Sequence, residues 1–264
     1  MGIGESYRRT LSSAIRRARV IYPAALFVVI YCCTSVPAGA ERRDESLFPQ
    51  TTNHLLKPIR SLNIPALVEA GAKPGKQAKE RLRHWFAFIN AHRGESELKL
   101  IELVNQYFNK LGFIDDENLW HQSDYWATPY EVLSEGAGDC EDHAIAKYFT
   151  LRRLGIPEEK LKITYVRVKS KSFQANNHVY EHMVLLYLPG ANEDAIVLDN
   201  LAKEIMHVSV NTQYELGYSF NTQGVWVWAD NTHAVAYGGP DIIENWRNLR
   251  QRFAQQLALI TASL

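Results

Sequence analysis

The sequence predicts a single α+β domain, on three observations. Apolar residues recur at helical spacing through the first half of the chain, strands of period two fill most of the second half, and a helical stripe returns at the end. Helices first, then a mainly antiparallel meander, then a closing helix is an order that packs helices against one sheet. The chain has 264 residues and a formal net charge of zero, enough length for a sizeable core.

The first forty residues read as a leader rather than as part of that domain. Arg8, Arg9, Arg16, Arg17 and Arg19 stand against one acid, Glu5, before an apolar run from Val20 to Val36 and the small-residue stretch Pro37 to Ala40. This is the pattern of a signal peptide cut after Ala40. The alternative is an uncleaved membrane anchor, for which the run is short and interrupted by Pro23 and Tyr31. Removing residues 1–40 leaves 24 basic and 28 acidic side chains, and Cys140 as the only cysteine. An exported domain of residues 41–264 with one thiol has no internal disulfide, and its mild acidity argues against nucleic-acid binding.

Residues 41–75 are polar and punctuated by Pro49, Pro58, Pro65 and Pro74, an irregular lead-in. Lys76 to Arg93 predicts an amphipathic helix with Ala78, Leu82, Trp85, Phe86, Phe88 and Ile89 inward. Glu95 to Leu111 predicts a second, and Gly94 and Gly112 close the pair. Asp115 to Ala127 reads as a polar and aromatic loop. Thr128-Pro-Tyr-Glu131 is a capping box with proline at the first helical position, so a short helix runs to about Ser134. Strands are expected at 163–168, 179–188, 195–199, 214–220 and 225–229. A last helix is expected from about Asp241, with Ile242, Trp246, Leu249, Phe253, Leu257 and Ile260 on one face.

Between the helices and the strands lies the stretch Glu135 to Tyr148. A loop loosened by Gly136 and Gly138 ends in Asp139, and Cys140 opens a helical pattern that Gly155-Ile-Pro157 stops. Asp139 is placed to cap that helix, with Asp142 three residues on in a capping-box arrangement. Cys140 then lies at the first helical position, where free backbone N–H groups and the helix dipole favour thiolate.

A cysteine nucleophile needs a base and a group that orients the base. Most of the nine histidines fall in polar stretches, on helix surfaces or near turns, and His143 points onto the flank of the Cys140 helix as a structural residue. His178 and His182 are better placed, at the start of a strand. His182 leads the apolar face Val184, Leu186 and Leu188, and the next strand ends in Asp199-Asn200. A histidine heading such a face is by itself more often a core residue, and such an aspartate a turn-former. The order of parts, Cys at a helix start, His on one strand, Asp on the next, raises both.

The segments Gly138-Asp-Cys-Glu-Asp-His-Ala-Ile-Ala-Lys-Tyr-Phe149, Leu151-Arg-Arg-Leu-Gly155, Glu181-His-Met-Val-Leu185 and Val197-Leu-Asp-Asn200 resemble the bacterial transglutaminase-like cysteine proteinases, the LapG-type periplasmic proteases. So does Trp126-Ala-Thr-Pro-Tyr-Glu131, and the similarity spans roughly residues 75–230. The resemblance implies a papain-like, transglutaminase-like fold, with Cys140 as nucleophile, His182 as base and Asp199 as orienter. His143 departs from the family pattern, in which tyrosine is expected. The backbone N–H of Cys140 is the natural first oxyanion donor, and Trp126 is a candidate for the second.

Asp139, Glu141 and Asp142 put up to three negative charges beside the thiol, which raises its pKa. A divalent cation would cancel that cost, and all-oxygen ligation suits calcium better than zinc. The resemblance also implies calcium dependence, with Asp139, Glu141 and Asp142 as ligands; the spacing is not that of an EF-hand loop, so the remaining ligands are carbonyls, waters or acids from elsewhere, with Asp124 a candidate. It further implies a periplasmic location, a very large surface adhesin as substrate, cut near its N-terminus to disperse a biofilm, and an inner-membrane receptor responsive to cyclic di-GMP as inhibitor. Two other readings stand beside it: a transglutaminase using the same triad, and a catalytically silent module that only binds a partner.

Overall fold

A computed structural model describes residues 75–169, 179–190 and 193–261. The leader, most of the lead-in and His178 lie outside the described residues. No helix among the described residues is long and apolar enough to cross a membrane.

Helix α1 (Lys76–Ala91) buries Ala78, Leu82, Trp85, Phe86 and Ile89, and α2 (Glu97–Phe108) buries Leu100, Ile101, Val104, Asn105 and Phe108. The first is the expected stripe apart from Phe88, which is only half-buried; in the second, Leu98, also expected inward, is exposed and Tyr107 is half-buried. Both helices end earlier than expected, the first because the chain turns through Gly94 at a φ of 87°. A two-residue strand β1 (Gly112–Phe113) follows, and then α3 (Asp116–Leu119) forms inside the expected loop. Helix α4 (Pro129–Glu135) carries the predicted capping box of Thr128 and Glu131. Its C-terminal carbonyls at Leu133 and Ser134 accept from Arg81 of α1.

Strand β2 (Ala137–Gly138) pairs in parallel with β1 and leads directly into α5 (Cys140–Leu154). Twelve of the fifteen α5 residues are buried, so this is a central helix rather than an amphipathic one. It stops at Gly155, whose φ of 102° only glycine adopts readily.

The sheet has seven strands: β3 (Leu161–Lys169), β4 (Val179–Tyr187), β5 (Ile196–Leu198), β6 (Met206–His207), β7 (Tyr214–Phe220), β8 (Val225–Trp228) and β9 (Ala234–Gly238). Their order across the sheet is β6-β5-β4-β3-β7-β8-β9, every neighbour antiparallel. Both faces are apolar. Ile163, Tyr165, Met183, Leu185, Tyr187, Leu198 and Phe220 join the helices in the main core. Val166, Val168, Val184, Leu186, Val197 and Leu216 form a second cluster on the other face with Val208.

The last helix, α6 (Glu244–Thr261), starts later than expected because Pro240 opens a separate 3-10 turn (Pro240–Ile242). Ile242 is accordingly exposed, not on the inward face. Trp246 stacks on Phe149 with centroids 5.6 Å apart, Phe253 packs on the same ring at 4.4 Å, and Thr128 donates to Gln256. The closing helix therefore covers α5 and α4. The architecture is the α+β one read from the sequence.

Candidate active site

Cys140 is placed by three local features. Gly136, in the left-handed region at a φ of 78°, ends α4 and turns the chain into β2. The β1–β2 pair, held by Gly112 N–H to Gly136 O at 3.0 Å and Ile114 N–H to Gly138 O at 3.2 Å, fixes the approach. Asp139 then caps α5, accepting from the Asp142 N–H at 3.5 Å, and Cys140 is the first helical residue. The capping box is only half made. The Asp142 carboxylate turns away from the cap and accepts from the Ala127 N–H at 2.7 Å.

The Cys140 thiol is partly buried and donates to Glu141 Oε2 at 2.9 Å. Burial pushes its pKa well up, the charges of Glu141 and Asp139 push the same way, and a backbone N–H from Met183 pulls it back. The helix dipole alone therefore does not give a thiolate here; the flanking carboxylates outweigh it. The Met183 contact places the sulfur against β4 at the residue after His182.

His182 and Asp199 come together as the strand order predicted. His182 Nε2 lies 2.8 Å from Asp199 Oδ1, both residues buried, on the sheet face that continues as Val184 and Leu186. A carboxylate accepts only, so Nε2 carries the proton of that bond and Nδ1 is the nitrogen left for a reacting group. Burial pushes the Asp199 carboxyl up, but bonds from His182, Tyr214 and the Leu201 N–H outweigh it, and its pKa is lowered. The described contacts thus join His182 to Asp199 directly, and Cys140 to the strand that carries His182.

His143 is buried, and its Nε2 lies 3.3 Å from the Gly112 carbonyl. Burial holds its pKa down at about 4, so it is neutral and ties β1 to the nucleophile helix, a structural role as expected. Trp126 stacks on Phe220 at 5.3 Å and donates its indole N–H to Asp124 at 3.0 Å. That N–H is thereby taken, and the indole is not a free oxyanion donor.

The predicted trio of Asp139, Glu141 and Asp142 is divided between two adjoining groups. One carboxylate oxygen each from Asp116, Asp139 and Asp142 lie within 4.8 Å of one another, and so do one each from Asp116, Asp124 and Glu141. Asp124 joins as expected. Asp116, common to both groups, is the residue that sequence reasoning missed. Asp115 caps α3 by accepting from the Asn118 N–H, and Asp116 is buried, with Oδ2 held by the Tyr125 N–H at 2.5 Å. The acidic pair Asp115-Asp116 ahead of Asn118 was the available signal.

These carboxylates fit a hard cation. Asp116 Oδ1 and Asp142 Oδ2 are buried with no hydrogen-bond partner, a costly state for acceptor-only oxygens. Burial first, and repulsion from Glu141 with it, pushes Asp116 up to about 7 and Asp124 up to about 6; Asp139 and Asp142 are raised further. A cation would complete the two open oxygens and remove the repulsion, and an all-carboxylate set is calcium chemistry.

Comparisons with known proteins follow this geometry. A family model described as bacterial transglutaminase-like cysteine proteinase matches residues 79–234, which include every residue named above in the acidic groups and in the Cys-His-Asp set. LapG of Legionella pneumophila in its EGTA-treated form is 30% identical with a TM-score of 0.60, over 71% of this chain and 95% of that one. The calcium-bound form is 29% identical with a TM-score of 0.58, over 72% of this chain and 98% of that one. Comparison with curated proteins gives no match. The chain belongs to the family of bacterial transglutaminase-like cysteine proteinases and has their transglutaminase-like fold.

Proposed function

We propose that this protein is an exported, calcium-dependent cysteine endopeptidase in which Cys140, His182 and Asp199 form the catalytic triad. The observation that carries this reading is the buried His182–Asp199 pair, 2.8 Å apart, on the strand whose next residue touches the Cys140 sulfur. Cys140 passes its thiol proton to His182 Nδ1 as the sulfur attacks a peptide carbonyl carbon, and the backbone N–H at the start of α5 donates to the oxyanion. His182, oriented by Asp199, gives its Nδ1 proton to the leaving amine as the C–N bond breaks. With Nδ1 free again, it takes a proton from the water whose oxygen attacks the thioester, and returns it to the Cys140 sulfur as the C–S bond breaks.

Asp116, Asp124, Asp139, Glu141 and Asp142 would hold calcium, and the bound charge offsets the carboxylates that crowd the sulfur. A solved structure of Legionella pneumophila LapG is calcium-bound, which supports the same ion here. The substrate in this reading is the N-terminal region of a large surface adhesin, cut to release it and disperse a biofilm. Residues 1–40 direct export to the periplasm, and an inner-membrane receptor that answers to cyclic di-GMP sequesters the enzyme. The export assignment rests on the leader sequence, and the adhesin and receptor rest on the family resemblance.

The test is cleavage of an adhesin N-terminal fragment by the mature protein with calcium, with EGTA, and with Cys140→Ala. Loss of cleavage in both latter arms is expected. Cleavage by Cys140→Ala would sink the triad, and cleavage in EGTA would reduce the acidic groups to structural caps.

A further inference from the structure

Asp199 stands one residue beyond β5, a strand only three residues long, so no ladder hydrogen bond governs how its side chain is turned. What orients the carboxylate has to come from its own bonds. Oδ1 accepts two, from His182 Nε2 at 2.8 Å and from the Leu201 N–H at 2.9 Å. Bonds to one oxygen leave rotation about the Cβ–carboxyl axis poorly defined, because that torsion has broad wells. The second oxygen needs its own donor, and the phenol of Tyr214 supplies it by donating to Oδ2.

We propose that Tyr214 is a positioning residue of the triad, fixing the plane of the Asp199 carboxylate so that Oδ1 faces His182 Nε2. The proposal rests on the triad reading above and adds a fourth member to it. Tyr214 suits this task because it is itself held on several sides. It begins β7 opposite Val168, its N–H reaches the Asn211 carbonyl at 3.3 Å, and its carbonyl accepts from Asn231 Nδ2 at 2.8 Å. The Asn211 side chain, donating to Met206 Sδ at 3.1 Å and accepting from the Gln213 N–H at 3.2 Å, fixes the turn into β7, and a chain of bonds runs from Tyr214 through Asp199 to His182. Burial and the charge of Asp199 raise the phenol pKa far above its usual value, so the hydroxyl stays a donor at any working pH.

Tyr214 comes from the far side of the sheet. Two strands, β4 and β3, separate β7 from β5. Its reach across the second apolar face ties the start of β7 to the loop after β5. The other donor to this loop acts on the backbone: Asn109 at the end of α2 gives Nδ2 to the carbonyls of Asp199 at 2.8 Å and Ala202 at 2.9 Å. Asn109 therefore sets where the loop lies, and Tyr214 sets how the carboxylate is turned.

The test reads the rate at which iodoacetamide alkylates Cys140 in the calcium-loaded mature protein at fixed pH. Residues 41–264 contain no other cysteine, so the modification is unambiguous. His182→Ala is the control. If it alkylates at the parent rate, the Cys140–His182 pairing is absent and the triad reading itself fails. Given a slowed control, Tyr214→Phe keeps the ring and its packing while removing only the donor. The expected result is a roughly tenfold slower alkylation and a similar fall in kcat with KM unchanged, as for a lost bond to a charged group. In an Asp199→Ala background the same substitution is expected to change the rate less than about twofold, because its partner is gone. A Tyr214→Phe protein at the parent rate, or an equal loss in both backgrounds, would overturn the proposal in favour of a purely structural tyrosine. Thermal unfolding of each variant, monitored by circular dichroism, confirms that folded proteins are compared.

Discussion

A Cβ on Gly138 would lie 2.7 Å from both the Cβ and Oδ2 of Asp142. The bare backbone at 138 is what allows the Asp142 carboxylate to stand, fully buried, beneath the loop that presents Cys140. One oxygen of that carboxylate takes the Ala127 N–H and the other is open toward the Asp116 group. Gly138→Ala is expected to displace Asp142, weaken calcium binding by tenfold or more, and cost about 1–3 kcal/mol through overpacking. Isothermal titration with calcium and a urea melt check both. Parent-like affinity in this variant would remove Asp142 from the ligand set.

Asp116 is the corner shared by the two acidic groups, and Asp116→Asn should act with opposite signs in two states of the protein. Without calcium, at a pH above about 7 where Asp116 is ionised, it removes a buried charge from a cluster that repels it, and Asn Oδ1 can still accept from the Tyr125 N–H. The metal-free protein should therefore melt higher. With calcium, the variant should lose most of the ligand-dependent stabilisation, about 2.7 kcal/mol for a site at one hundred times its Kd. Tm measured with calcium and with EGTA gives both signs at once. A metal-free Tm below that of the parent would show that Asp116 is satisfied without a cation.

The parts of this site that the sequence discloses are those set by short-range rules. Asp139 and Cys140 were placed by glycine spacing and a helix start, and His182 and Asp199 by strand alternation and strand order, because each depends on neighbours in the chain. Asp116 was hidden because α3 is only four residues long, barely one helical turn, so no recurring periodicity marks which acid points inward. Tyr214 was hidden for a different reason. Its role depends on a contact across two intervening strands, which no local pattern encodes. The half-made capping box at Asp139 shows the limit from the other side: Asp142 has the right spacing, yet the Ala127 N–H and the acidic group claim its carboxylate.

Calcium binding should be proton-linked. In the metal-free protein burial and the charge of Glu141 push Asp116 up to about 7 and Asp124 up to about 6, from about 3.8 for an ordinary aspartate. Both folded values are raised, so between roughly pH 4 and 7 the folded metal-free chain holds more protons than the unfolded one, and its stability falls as pH rises through that window. Calcium needs these groups ionised and must displace the protons. Its affinity should therefore rise from pH 5 to pH 7.5, with proton release at pH 6 seen by titration in buffers of differing ionisation enthalpy. A pH-independent affinity over this range would contradict the raised carboxyls.

The closing helix should support the acidic site through a line of aromatic rings. Trp246 of α6 is fully buried and meets Phe220 edge-on at 5.3 Å, and Phe220 stacks on Trp126 at 5.3 Å. Trp126 in turn donates to Asp124, one of the acids grouped with Glu141. Trp246 also donates its indole N–H to the Asn221 carbonyl at 3.1 Å, which fixes the turn after β7. Trp246→Ala removes the ring that packs on Phe149 and Tyr148 of α5 and is expected to cost about 3–5 kcal/mol. Trp246→Phe keeps an aromatic ring against Phe149 and Phe220 but leaves the Asn221 carbonyl unpaired, a cost of about 1–3 kcal/mol. If the line of rings positions Asp124, the Phe variant should bind calcium with parent-like affinity, while the Ala variant, in conditions where it stays folded, should bind several-fold more weakly. Equal calcium affinity in both would confine α6 to a role in stability, because the loss of the ring would then stop at Phe220.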